Sequence, residues 1–287
     1  MKSSGSRRIA AYLGNPGPFY RSVAIARDRE DAAAMRGYVL TPWLQRVATE
    51  ILEGLLPGSK RRAWRITGDF GVGKSALALA LLRTLDPRSA DPEAPMDRHA
   101  ETVCGQLPRM YPLILSGNAS GLNDGMASAI AEAADRDGSL LDAKARKALA
   151  SADPFSSIPI LRDALVRSGR YDGLLIVIDE MGKYLEAATI DPAQADIFRL
   201  QEMAELAARS GDHPLAVLLI LHQGLQSYHR EGAVSTRSEW AKVAERYDEL
   251  VFDHPLSHTS ALLSAALSPD MASLPPKVRR AYAKSEQ

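Results

Sequence analysis

Apolar and polar positions along the chain follow two rhythms. Leu174-Leu175-Ile176-Val177-Ile178 is an unbroken aliphatic run, and Leu215 to Leu221 is a second. Runs this short and this uniformly apolar predict strands buried on both faces. Ala63 to Thr67, Leu113 to Leu115 and Leu250 to Phe252 predict three shorter strands. Elsewhere the apolar spacing changes to three and four residues. Trp43, Leu44, Val47, Ile51, Leu52 and Leu55 mark the face of a helix that opens at Thr41-Pro42 and stops at Leu56-Pro57-Gly58. Ala76 to Leu82, Leu122 to Ala134, residues of about 139–150 and 158–168, Gln194 to Arg209 and Arg237 to Glu245 predict further helices. Strands that alternate with helices require crossover connections, so the pattern predicts an α/β fold: a three-layer αβα sandwich on a five-stranded parallel sheet.

The same pattern divides the chain. Residues 1–40, with a turn at Asn15-Pro16-Gly17-Pro18, read as an N-terminal arm. Residues 41–255 read as the α/β domain, and 256–287 as a truncated or minimal helical tail. Within the domain, 86–112 carries Pro87, Pro92, Pro95, Pro108 and Pro112 with little periodicity, and reads as an exposed loop or insertion. No internal repeat is seen.

Where the first strand should become a helix stand Gly68-Asp69-Phe70-Gly71-Val72-Gly73-Lys74-Ser75, followed by Ala76. The spacing G-x-x-x-x-G-K-[ST] is that of a P-loop, and its strand and helix flanks are the context that motif needs. Glycines let the backbone approach a phosphate closely, and successive N–H groups at a helix N-terminus make an anion nest. Lys74 would bring a point charge to the β and γ phosphates, and Ser75 a hydroxyl to Mg²⁺. The alternative is a glycine-rich turn with an incidental Lys-Ser.

The run 174–178 ends in Asp179-Glu180. Carboxylates at the C-terminal end of a central parallel strand sit beside the ligand crevice. Asp179 would hold Mg²⁺, and Glu180 would orient and deprotonate an attacking water; alone, an acidic pair simply ends a buried strand. Because a transferase has no use for a water-activating Glu, the pair favours hydrolysis over a small-molecule kinase. Strand 215–221 runs into His222-Gln223, expected between the P-loop strand and the Asp-Glu strand. A polar side chain there would reach both the γ-phosphate and the water; Gln223 is the first choice and His222 the second, because strand-end register is not readable from sequence.

Composition narrows the setting. A chain of 287 residues with 46% hydrophobic content buries a full core, and 35 basic against 35 acidic residues leave no overall field toward nucleic acid or an anionic membrane. Lys60-Arg61-Arg62, with Arg65 nearby, is a candidate basic patch, more simply read as a solvated run ahead of a strand. The single Cys104 fits a reducing compartment and excludes an internal disulfide framework. The polar, basic start Met1 to Arg8 has no apolar stretch behind it, and no apolar run is long enough to cross a bilayer, so a cytoplasmic protein without membrane contact is expected.

The order Gly68 to Ser75, Leu174 to Glu180, Leu215 to Gln223 resembles the Walker A, Walker B and sensor 1 strands of the AAA+ ATPases and their signalling relatives, the STAND ATPases. Ala244-Glu245-Arg246-Tyr247-Asp248-Glu249-Leu250-Val251-Phe252 is similar to the stretch before the fifth AAA+ strand, with Glu245 in place of the usual Gly. The resemblance implies a P-loop NTPase sheet, ATP and Mg²⁺ as ligands, and a homo-oligomer in which Arg246, or alternatively Arg237, reaches a neighbour's ATP in trans. It departs from AAA+ proteins after Phe252, where little or no helical lid follows and Arg279 and Arg280 take no role. Val177 to Glu186, with His222-Gln223, is also similar to large bacterial ATPases associated with phage defence. ATP hydrolysis that drives assembly or remodelling of partners is the leading expectation; a STAND-like switch with slow or no turnover is the alternative. The protein or nucleic-acid partner is not readable from the sequence.

Overall fold

The computed structural model describes residues 13–14, 23–31, 33–117, 121–190, 197–224, 241–253, 258–260, 262, 268–269 and 275–285. Five parallel strands form the central sheet: β1 (Ala63–Thr67), β2 (Met110–Ser116), β3 (Gly173–Asp179), β4 (Leu215–Ile220) and β5 (Asp248–Val251), in the order β2-β3-β4-β1-β5. Strand β4 lies between the P-loop strand β1 and the Asp-Glu strand β3, as expected. Pro112, which cannot donate to a ladder, is tolerated because β2 is at the sheet edge among the described residues.

Side chains alternate across the sheet and divide the core in two. Leu174, Ile176 and Ile178 of β3 face one layer, together with Leu215, Val217 and Leu219 of β4. That layer holds α4 (Leu122–Arg136), α5 (Ala143–Leu149), α6 (Pro154–Arg167), α7 (Met181–Ile190) and α8 (Ile197–Ala208). Leu175 and Val177, with Ala216, Leu218, Trp64 and Ile66, face α1 (Pro42–Gly54), α2 (Lys74–Leu85) and α3 (Pro95–Cys104). The result is the three-layer αβα sandwich that continuous apolar runs in β3 and β4 require. Of the predicted helix at 237–245, residues 237–240 lie outside the described residues, and 241–244 are helical. A last helix, α9 (Pro276–Ser285), is exposed over its first turn, and Leu13–Gly14 pairs antiparallel with Ser268–Pro269.

Two expectations are corrected. Residues 86–112 are not simply an exposed excursion, because they contain α3, which buries Met96 and Ala100. Pro95 occupies its first turn, where a missing N–H costs nothing, and His99 Nε2 lies 3.0 Å from both Thr49 Oγ1 and the Gln45 carbonyl of α1. Nor is the basic run solvated throughout: Lys60 and Arg61 are exposed, but Arg62 is not. Arg62 is 1% exposed and donates to the carbonyls of Gly54, Leu56 and Gly211 and to Ser210 Oγ, at 2.6–3.1 Å. Arg65 donates to the Ala244 carbonyl and pairs with Glu249 at 2.9 Å.

Burial pushes the Arg62 guanidinium below its ordinary pKa, yet it closes the end of α1 onto the loop before β4. Arg62→Ala is expected to lower the unfolding free energy by about 3–5 kcal/mol, since each orphaned buried carbonyl costs about 1–3 kcal/mol. Denaturant titration checks this.

Candidate nucleotide site

The register brings the functional residues to one edge of the sheet. Ile66 pairs with Ile220 and Thr67 with Val251, Leu115 with Ile178 and Ser116 with Asp179. One or two residues further on, Gly68, His222, Gly117 and Glu180 therefore meet above the C-terminal strand ends, where open α/β sheets bind ligands. Gly73 holds φ 92°, a left-handed value that lets the loop turn into α2.

Lys74 is buried, and its Nζ donates to the carbonyls of Gly68 and Asp69, each at 2.6 Å. Burial pushes its pKa down, opposed by Asp179 and Asp69. Gly68 and Asp69 thus hold the lysine through their carbonyls, whereas Phe70, Gly71, Val72, Gly73, Lys74, Ser75 and Ala76 line a cleft of about 700 Å³. Such a volume lies within the common range for small-ligand sites.

Ser75 Oγ donates to Asp179 Oδ1 at 3.2 Å, and the same oxygen accepts from the Glu180 amide at 2.9 Å. Asp179 is 7% exposed; burial raises its pKa and the two hydrogen bonds oppose that rise. Glu180 lines the cleft in a strained backbone state, φ 52°, a conformation that costs a side-chain-bearing residue about 1–3 kcal/mol. Gly117 is what allows this junction: its amide donates to the Asp179 carbonyl at 2.9 Å, and a Cβ at 117 would lie 2.2 Å from the Glu180 carbonyl oxygen.

His222, and not Gln223, lines the cleft; Gln223 is exposed. The ring of His222 stacks on Phe70 at 3.5 Å between centroids, and its Nδ1 is buried without a partner among the described residues. Burial holds its pKa below the ordinary imidazole value, with Lys74 adding to the effect. Arg246 stands elsewhere, paired with Glu205 at 3.1 Å. The length of β5, on the order of 15 Å, separates it from its own P-loop. Arg237 lies outside the described residues.

The opposite wall of the cleft was not foreseen. It is built by Val23 to Arg27, Ala34 to Val39, Leu44, His258 and Leu262. Tyr38 Oη is buried there without a partner among the described residues. Nδ1 of His258 lies 2.6 Å from Oγ1 of Thr41, the residue capping α1, and the His258 ring packs edge-on against Trp43. The only sequence signal for this wall is the apolar run Tyr38-Val39-Leu40 before α1.

Fold and site together define a P-loop NTPase-like αβα sandwich. No protein-family model matches the chain, and no curated protein matches it. Among solved structures it is similar to that of the Aeropyrum pernix ORC2 protein in its ADPNP-ADP complexes, at 16% identity and a TM-score of 0.45. The match covers 90% of this chain and 58% of that one. Among the described residues no helix is long and apolar enough to cross a membrane, and no group of three or more His, Cys, Asp or Glu side chains forms a metal cage.

Proposed function

We propose that the chain binds ATP in the cleft above β1, β3 and β4 and hydrolyses it with Mg²⁺ in an AAA+-type site, using the cycle to assemble or remodel partners. The observation that carries this reading is the contact between Ser75 and Asp179, which joins the P-loop to the end of β3 through a hydroxyl and a buried carboxylate 3.2 Å apart. That hard-oxygen donor pair fits a small divalent cation that keeps water and phosphate oxygen as its other ligands. Ser75 and Asp179 would hold the ion, which would neutralise phosphate charge. The amides of residues 71–76 would hold the phosphates, and Lys74 would turn from the loop carbonyls to the β and γ oxygens. Tyr38 Oη supports a nucleoside at the other end, since a buried hydroxyl without a protein partner fits a polar ligand edge.

Glu180, next to Asp179 in the cleft lining, would take the proton of the attacking water, and His222, which also lines the cleft, would meet the γ-phosphate in place of Gln223. Arg246 is too far from its own loop to serve it, so any role in hydrolysis is in trans, within a homo-oligomer. Phosphate release per chain that rises with protein concentration, and drops in Arg246→Ala, is the expected result; specific activity independent of both would contradict a shared site. One observation favours the second reading, a STAND-like switch with slow turnover: the Glu180 carboxylate is already engaged by Lys183. A cytoplasmic location and a role in phage defence rest on the sequence alone, the latter on the resemblance of residues 177–186 and 222–223.

A further inference from the structure

The first turn of α7 holds an ion pair that the hydrolytic reading does not use. Lys183 Nζ donates to Glu180 Oε2 at 2.5 Å, and the Lys183 amide donates to the Glu180 carbonyl at 3.0 Å. Both partners are held by the junction between β2 and β3: Glu180 by its left-handed backbone, and Lys183 by packing so close that a Cβ at 117 would lie 3.2 Å from its own Cβ. The pair is therefore better defined than two long side chains meeting on an open helix surface. Glu180 lines the cleft, but Lys183 does not, and its side chain is 53% exposed.

We propose that Lys183 is a positioning residue that restrains Glu180, holding its carboxylate away from the attacking water until the ion pair opens. The inference rests on the reading of Glu180 as the group that accepts the water's proton. In that step the water oxygen bonds to the γ-phosphorus while the bond to the β,γ-bridging oxygen breaks. The electron pair leaves on ADP, and the water's proton passes to the carboxylate. An Oε2 already accepting from an ammonium group is a poorer acceptor for that proton. Lys183 lies outside the cleft lining in the nucleotide-free chain, but its stem is flexible, and phosphate charge arriving beside Glu180 would draw the ammonium off the carboxylate, so nucleotide binding weakens the restraint.

Lys183→Met tests this. Its kcat is expected to rise roughly 2–5-fold, the range that an exposed ion pair of about 0.5–1 kcal/mol permits, with KM for ATP within about 2-fold of wild type. Lys183→Arg is expected to restore the wild-type kcat. A second readout needs no turnover: a zero-length carbodiimide should join Glu180 to Lys183 in the nucleotide-free chain. The product is a tryptic peptide spanning 171–199, uncut at Lys183 and lighter by one water. Its yield should fall when a non-hydrolysable ATP analogue and Mg²⁺ are added.

An unchanged or lowered kcat in Lys183→Met, a Lys183→Arg variant that behaves like Lys183→Met, or a cross-link insensitive to the analogue would overturn the proposal. Glu180→Gln separates the two levels. If it abolishes turnover while Lys183→Met matches wild type, only the restraint fails; if it leaves turnover intact, the role of Glu180 fails and the restraint with it.

Discussion

Glu180→Gln is expected to retain ATP binding and to lose turnover, by about 10²–10⁴-fold, the usual contribution of a positioned general base. The substitution preserves shape, so the strained junction at φ 52° and the backbone contacts around it remain. What disappears is an oxygen able to accept the proton of the attacking water. Because Asp179, Ser75 and the loop are untouched, affinity for ATP is expected to stay within a few-fold of wild type. Phosphate release under steady-state conditions checks the rate, and equilibrium titration checks the affinity. Equal turnover in wild type and variant would remove Glu180 from the chemistry. Negligible turnover in both, with nucleotide still changing the oligomeric state, would favour the switch.

Lys74→Ala is expected to weaken ATP binding by at least about 10²-fold. Each hydrogen bond to a charged group is worth about 1.5–3 kcal/mol, and the ammonium has two phosphates to serve. In the structure that ammonium lies on the carbonyls of Gly68 and Asp69, so its removal also loosens the mouth of the loop. Circular dichroism and thermal melting separate a loosened loop from a lost fold. A folded Lys74→Ala chain with wild-type affinity would place the nucleotide elsewhere.

How far the site was legible depended on the range of the physics involved. The loop Gly68 to Ser75 carries its chemistry in a few adjacent residues, and β3 and β4 declare themselves because a strand buried on both faces needs an unbroken apolar run. Asp179 and Glu180 follow from the end of such a run. Features that arise from packing across the chain were misread or unseen. Arg62 looks like part of a solvated run until the carbonyls of Gly54, Leu56 and Gly211 converge on it. Helix α3 is hidden by prolines that, in the fold, start it or flank it, and its two buried positions, Met96 and Ala100, give little periodicity. The choice between His222 and Gln223 turned on how the chain leaves β4, a matter of register and not of composition. The wall formed by Val23 to Arg27 and Ala34 to Val39 has no motif and gains its place only in the fold, so an N-terminal arm at residues 1–40 gives no hint of it.

The most direct test of the nucleotide cleft is amide hydrogen exchange of the wild-type chain with and without ATP and Mg²⁺. Slowed exchange is expected in residues 70–76 of the P-loop and in residues 23–27 and 34–39 of the facing wall, with no such change in Lys74→Ala. Protection confined to other parts of the chain, or the same protection in Lys74→Ala, would contradict it.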